Sequence, residues 1–395
     1  MSKRIAVPYR HVKLRIVGPA AAFYAHRVQR LDFPTTIPTT TINELGNPLH
    51  AGVITDIPEC SVTFQVMDVS HRTFSIMTGN NPDIYPAAGV NVGDLSYIDA
   101  IGYVREANVA ENLKCIHARH LRVTGFTFTY SVDGESTEEY TAEGSEKRYF
   151  KYDVVVESGS SYPSSGISLT NTPIDLKNGN TLISLIQDGD WKTEDTDYSV
   201  VDDGGAPGGK AVTLSGNATS SLMIVYHSDS SMAWSDISDT TVPAAIRGKN
   251  IPIQIGTNDM YRIQSVTIRG TFPATRVEEM GNTEVVGYVV DPPEVTGDVT
   301  VLDTDNDIVS LLATGTVGGG AESEYGVNEY SERQLSLDVI IRDPADNSTV
   351  LKTVYIPNMR ITSDGHTTNV GGQTTLTFGF ASDTSECKVY EGARP

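Results

Sequence analysis

Three short stretches carry residue types that could do chemistry. "GGAPGGK" (Gly204 to Lys210) fits the G-x-x-x-x-G-K frame of a phosphate loop. That frame continues with Ser or Thr and a helix whose N-terminus faces the phosphate. Here Ala211 follows and "AVTLSG" reads as a strand, so an ordinary loop is expected. "DTDND" (Asp303 to Asp307) resembles the start of a calcium loop. Ile308 and Thr314 stand where that loop requires Gly and Glu, so it reads as the acidic start of a helix, with Asp305 or Asp307 as cap. "CIHARH" sets Cys115, His117 and His120 within six residues, but on a strand His120 faces away from the other two. G-x-S-x-G is absent, and no two carboxylates stand out as an acid/base pair. No catalytic, cofactor-binding or metal-binding residue is therefore assigned; no cofactor is expected, and the chain reads as not an enzyme.

The elements that would hold such residues are strands. A chain of 395 residues exceeds one ordinary core, and its 35 Gly and 19 Pro, with abundant Thr, Ser and Val and no long helical periodicity, predict a mainly β protein. Charge is unevenly spread. Of 29 Lys+Arg and 50 Asp+Glu, residues 1–125 hold 12 and 10, leaving 17 and 40 for the remainder. So acidic a body does not suit a general nucleic-acid binder, which needs cations for phosphates. The first fifteen residues are the exception, with Lys3, Arg4, Arg10, Lys13 and Arg15 and no acid. They are candidates for docking on an acidic neighbouring copy. The three scattered cysteines do not make a disulfide framework. No apolar run is long enough to cross a membrane, and basic residues interrupt the apolar start where a signal peptide would need continuity.

The strongest pattern is internal. "RVQRLDFPTTIPTTTINELGN" (Arg27 to Asn47) returns as "RIQSVTIRGTFPATRVEEMGN" (Arg262 to Asn282). At an offset of 235, twelve of the 33 positions from Arg27 to Glu59 are identical, among them Arg27/Arg262, Gln29/Gln264, Pro38/Pro273 and Glu59/Glu294. Downstream, "LKCIHARHLRVTGF" matches "LKTVYIPNMRITSD" at an offset of 238, with Arg122/Arg360 and Thr124/Thr362 identical. Each block reads as a strand, a Gly-Asn turn (Gly46 and Asn47, then Gly281 and Asn282), a returning strand and a short helix. Ser70 is placed to cap the first helix and Gly79 to end it, while Gly315 ends the second. Phe74 with Met77, and Ile308 with Leu311 and Leu312, supply their apolar faces. Residues 156–255 match neither block and alternate apolar with polar between turns, the pattern of an immunoglobulin-like sandwich joined through "ESGSSYPSSG". The expected division is 1–155 (first copy), 156–255 (insert) and 256–395 (second copy). The expected architecture is two duplicated antiparallel β-barrel or sandwich domains, each with a short helix, and an inserted β-sandwich.

A chain carrying one domain twice can close a six-lobed ring from three copies. The "ELGN" and "EMGN" hairpins, the helix that follows, and "YIPNMRITSDGHTTNVGGQTTLTFGFAS" resemble the tail tube domains of long-tailed, siphovirus-like viruses. That resemblance implies a virion structural protein, the major tail tube subunit. It would form trimeric, pseudo-hexameric rings stacked into a tube through which viral DNA passes without specific binding, beside terminator and tail-tip proteins, after assembly in the host cytoplasm. An insert in mid-chain rather than at an end departs from the family pattern. The long loops near 80–98 and 316–332 join the basic start as expected ring-to-ring contacts. The alternatives are a tail-tip hub of paired tube-like domains, then a cell-surface β adhesin.

Overall fold

The computed structural model describes residues 12–43, 50–68, 70–81, 83, 86–91, 96–105, 112–133, 136–151, 153–159, 167–216, 221–228, 245, 247–280, 285–302, 307–315, 324–326, 328–329, 332–368 and 374–395. Lys3, Arg4, Arg10, Asp305 and the turns at Gly46-Asn47 and Gly281-Asn282 lie outside them. The protein is mainly β, 60% strand and 6% helical, in antiparallel sheets.

The first part contains β1 (Val12–Val17), β2 (Ala22–Tyr24), β3 (Val28–Asp32), β4 (Thr35–Thr36), β5 (Thr39–Asn43), β6 (His50–Thr55), β7 (Glu59–Val66), β8 (Val90–Asn91), β9 (Tyr97–Arg105), β10 (Asn112–Ser131), β11 (Thr137–Gly144) and β12 (Glu146–Phe150). β7 shows why these residues form strands: Cys60, Val62, Phe64 and Val66 point into the core while Ser61, Thr63 and Gln65 face outward. The 20-residue β10 serves two faces. Its first half pairs with β9 and β12, its second half with β11, and the ladder shifts between Ala118 and Leu121, around His120 at φ 50°. Between the faces lie Leu14, Ile16, Phe64, Phe128 and Tyr140, together with Phe74, Ile76 and Met77 of helix α1 (Arg72–Met77). The expected cap is corrected here. His71 occupies the N-cap without a side-chain capping bond, and Ser70 instead donates its N–H and Oγ–H to Asp68 at 2.8 Å each. Gly79 does end the helix, at φ 78°.

The middle part contains β13 (Val154–Gly159), β14 (Ile167–Ser168), β15 (Leu182–Gln187), β16 (Asp190–Lys192), β17 (Tyr198–Asp202), β18 (Lys210–Leu214) and β19 (Leu222–His227). They form a four-stranded sheet, β13-β19-β15-β16, and a three-stranded sheet, β14-β18-β17. Leu169, Leu185, Val212, Leu214, Ile224 and Tyr226 fill the space between them. The other face of the four-stranded sheet is also buried: Ile183, Ile186, Met223 and Val225 pack on Val17, Tyr103 and Cys115. Glu157–Gly159, expected as linker, complete β13 instead, where they pair with β19.

The last part contains β20 (Ile253–Ile255), β21 (Asn258–Met260), β22 (Ile263–Thr271), β23 (Ala274–Val277), β24 (Gly287–Val290), β25 (Glu294–Leu302), β26 (Leu335–Arg342), β27 (Val350–Thr367), β28 (Thr375–Ser382) and β29 (Lys388–Glu391). β20, whose residues were expected in the insert, hydrogen-bonds to β26 and β21 of this part. Helix α2 (Asp307–Thr314) buries Leu311 and Leu312 and stops at Gly315, φ 82°. β27, like β10, divides its pairing, with β26 and β29 along its first half and β28 along its second.

Candidate functional site

Three constructions join the parts of the chain. The first is a sheet seam. Gly125–Ser131 of β10 pair with Ser265–Thr271 of β22. Phe272 N–H extends the ladder to the Thr124 carbonyl at 2.9 Å, and Val132 N–H to the Gln264 carbonyl at 3.0 Å. The strands β3 with β4, β7, β11, β10, β22, β25, β28 and β27 therefore run edge to edge as one antiparallel sheet. That sheet does not close on itself. Among the described residues, β3 and β4 have β7 on one side and no strand on the other, and Ser363–Thr367 of β27 have only β28. The apolar face is core. The opposite face is rich in hydroxyls, with Thr63, Thr127, Thr141, Thr267, Thr300 and Thr377, and its cations sit beside acids: Arg30 with Asp32 at 2.6 Å and Arg269 with Asp298 at 2.7 Å.

The hairpin β23–β24 reinforces the seam. Arg276 Nη1 lies 2.7 Å from Glu59 Oε1, and Arg122 donates to the Phe272 carbonyl at 2.9 Å and the Pro273 carbonyl at 3.4 Å beneath the Tyr288 ring. β8 also crosses over, pairing Val90 with Val389 and Asn91 with Lys388, so part of the 80–98 loop is engaged within the chain.

The second construction is a buried ion pair. Lys352 of β27 bonds Glu138 of β11, with both side chains 1% exposed. The Lys352 ammonium also reaches the Ser70 carbonyl at 3.2 Å, and Tyr130 and Tyr140 donate to the two Glu138 oxygens at 2.9 and 3.0 Å. Burial, then the Glu138 charge, pushes both phenols well above their ordinary range, so they remain donors.

The third ties the middle part to the first. Asp99 of β9 is fully buried. Its Oδ2 takes Ser184 Oγ–H at 2.7 Å and lies 3.2 Å from His117 Nε2, and its Oδ1 takes the His120 N–H at 2.7 Å and Trp191 Nε1–H at 3.4 Å. Burial pushes this carboxyl up, but His117, the His120 amide and Ser184 together outweigh it and hold it at about 2. A folded-state value below the ordinary 3.8 stabilises the protein above that pH, and the contribution is lost as pH falls toward 2. Asp99→Asn is expected to flatten the acid limb of stability between about pH 4 and 2 in denaturant titrations. An unchanged acid limb would contradict the assignment.

This cluster places an Asp, a His and a Ser together without making a nucleophile. Ser184 gives its proton to Asp99 rather than to the imidazole, so nothing activates its oxygen. Cys115 is buried with Sγ 3.8 Å from Asp153, burial raises its thiol well above the ordinary range, and the His120 ring stacks on Tyr97 at 4.2 Å. Cys115, His117 and His120 therefore do not converge on a common point. Among the described residues no three His, Cys, Asp or Glu side chains group as metal ligands. Lys210 opens β18 and reaches Asp175 at 3.3 Å, with no helix after its glycines. Of the basic start, Lys13 lies in β1 near Arg105 and is half-buried, and burial, then that charge, lowers it. Arg15 is engaged inside the chain, donating to Tyr24 Oη at 3.3 Å and the Val156 carbonyl at 3.4 Å. Asp99, Glu138, Ser184 and Lys352 were not singled out from sequence. The one signal was the acid inside the apolar run "YIDAIGYVR" for Asp99.

No family model and no curated protein matches this chain.

Proposed function

We propose that the chain is a ring-forming structural subunit of a hollow tube, as its resemblance to viral tail tube proteins implies, with two copies of one domain fused and a sandwich inserted. Strand registers support the duplication. β3 and β4 pair with β7 from Val28↔Val66 to Thr36↔Glu59, and β22 pairs with β25 from Ile263↔Val301 to Thr271↔Glu294, the same partners shifted by 235. Both ladders slip one residue after the start, both begin at a positive-φ arginine (Arg27 at 50°, Arg262 at 66°), and Gln29 and Gln264 each donate to that arginine's carbonyl, at 3.1 and 3.2 Å. The middle sheets, four strands over three with a common core, support an immunoglobulin-like sandwich, and the shared β10 and β27 support a barrel or sandwich form for each copy.

The observation that carries the reading is the seam. It joins the last strand of one copy to the first strand of the other, and leaves a first strand and a last strand open at the outer edges. Such a contact is head-to-tail, and repetition of it either closes a ring or runs on as a fibre. Three chains, each supplying two copies, would close a ring in which every edge is paired. The hydroxyl face would then line the lumen. Its few cations are already matched by carboxylates, so it offers little grip on a polyanion and lets DNA pass. Terminator and tail-tip proteins of a virion would meet the tube ends.

Sedimentation velocity with negative-stain electron microscopy at low and high salt tests this. Hollow tubes of regular repeat are expected; single rings that never stack would favour the tail-tip hub, and monomers under every condition would overturn the proposal.

A further inference from the structure

We infer that the exposed hairpin β5–β6 and the free edge of β4 clasp the β27 edge of a second copy of this chain, centred on Arg360. This rests on the ring reading and uses the seam inside the chain as its template. Inside the chain, Arg122 is buried because Phe272, Pro273 and the Tyr288 ring cover it. The repeat places Arg360 at the Arg122 position, Ile37 and Pro38 at those of Phe272 and Pro273, and Val53 at that of Tyr288. Of these counterparts Arg360, Ile37 and Val53 are uncovered, while Pro38, like Pro273, is half-buried. The Arg360 side chain is 42% exposed, and Ile37 is 56% exposed against 5% for Phe272. Val53 and Ile54 of the same hairpin are 58% and 57% exposed. Two arginines and two prolines identical between the repeats thus meet once within the chain and are left open once at its surface.

The template fixes the register. Thr271 opposite Gly125 becomes Thr36 of one copy opposite Ser363 of the next, and Phe272 N–H to the Thr124 carbonyl becomes Ile37 N–H to the Thr362 carbonyl. Arg360, now on Asp383 at 2.6 Å, would keep that acid and donate its remaining N–H groups to the Ile37 and Pro38 carbonyls. Ile37 would stand where Phe272 stands in the inner seam, against Asp364 in place of the Phe126 ring that Phe272 meets at 6.1 Å. Ser363 replaces Gly125, whose missing side chain admits the Gly270 carbonyl, so the outer ladder runs slightly wider at that rung.

The test is disulfide trapping in the full chain carrying Thr36→Cys and Ser363→Cys. Both positions are exposed, and the three native thiols are buried. Directly opposed strand residues fall within disulfide reach, about 4.4–6.8 Å between Cα atoms. Mild oxidation of assembled protein is expected to give a ladder ending at a covalent trimer, while the slipped pair Thr36→Cys with Thr367→Cys gives none. Arg360→Ala is expected to raise the concentration needed for assembly about tenfold, with an unchanged circular dichroism spectrum. Rings or tubes that form but trap only the slipped pair, or neither, would overturn this inference and leave the ring reading standing. Failure of the unmodified chain to assemble at all would overturn the ring reading itself.

Discussion

Replacing Lys352 by Met lowers the unfolding free energy by about 3–5 kcal/mol, because it leaves the Glu138 charge buried without its cation. The side chains concerned are 1% exposed, so solvent cannot substitute for the lost partner. The loss falls where the two halves of the chain meet, since Glu138 belongs to β11 and Lys352 to β27. Adding Glu138→Gln to Lys352→Met is expected to recover most of it: the amide oxygen still accepts from one of Tyr130 and Tyr140, the amide N–H donates to the hydroxyl oxygen of the other, and no unpaired charge remains. Urea titration of the wild type, the single variant and the double variant reads both numbers. A single variant within 1 kcal/mol of wild type, roughly the range of an exposed pair, would show the ion pair to be solvated. At the repeat-equivalent positions stand Lys114 and Leu376, so an outer seam lacks this lock. Rings are therefore expected to dissociate into intact chains before the halves of a chain part.

Asp364→Pro is expected to abolish assembly while leaving the folded monomer unchanged. In the inner seam, the Phe272-to-Thr124 and Val132-to-Gln264 bonds show that even-numbered residues of β10 direct their N–H and C=O toward β22, and odd-numbered ones toward β11. Carried to β27, the alternation points Asp364 N–H outward and Gly365 N–H toward β28. Proline at 364 removes an outward donor, leaves the facing carbonyl unpaired at about 1–3 kcal/mol, and crowds the incoming strand. Each seam is then weakened roughly 10- to 100-fold or more, and every ring needs all of its seams. Gly365→Pro is the contrasting control, since it breaks the β28 ladder and lowers monomer stability instead. Sedimentation and thermal unfolding of the two variants separate these effects. Normal tubes from Asp364→Pro would place the assembly edge elsewhere.

Local order was legible in the residues and long-range partnership was not. The alternation in "ECSVTFQV" and the stops at Gly79 and Gly315 follow from side-chain period and backbone freedom alone. The identity at Gln29/Gln264 marked a pair that bonds backbone at the bulge, and that at Arg122/Arg360 marked the arginine that bonds backbone at the seam, though sequence gave no sign of which carbonyls Gln29, Gln264 and Arg122 reach. Ser70 was misread because Asp68, two residues back, competes for its hydroxyl. Two of the partners of Asp99 lie 85 and 92 residues away, and those of Lys352 lie 214 and 282, distances over which spacing carries no information. For the same reason the middle part read as a tethered module: "LISLIQ" and "LMIVYH" are apolar on both faces, but nothing in them pointed to the surface of β1, β9 and β10 that buries one of those faces.

The most direct test of a ring built from repeated seams is a three-dimensional reconstruction of the assembled protein by electron cryomicroscopy. Three chains per ring are expected, with six similar lobes, a continuous strand wall around the lumen, and β27 of each chain laid against β3 and β4 of the next. A ring whose chains touch only through the middle sheets, with the β3 and β27 edges open to solvent, would contradict it.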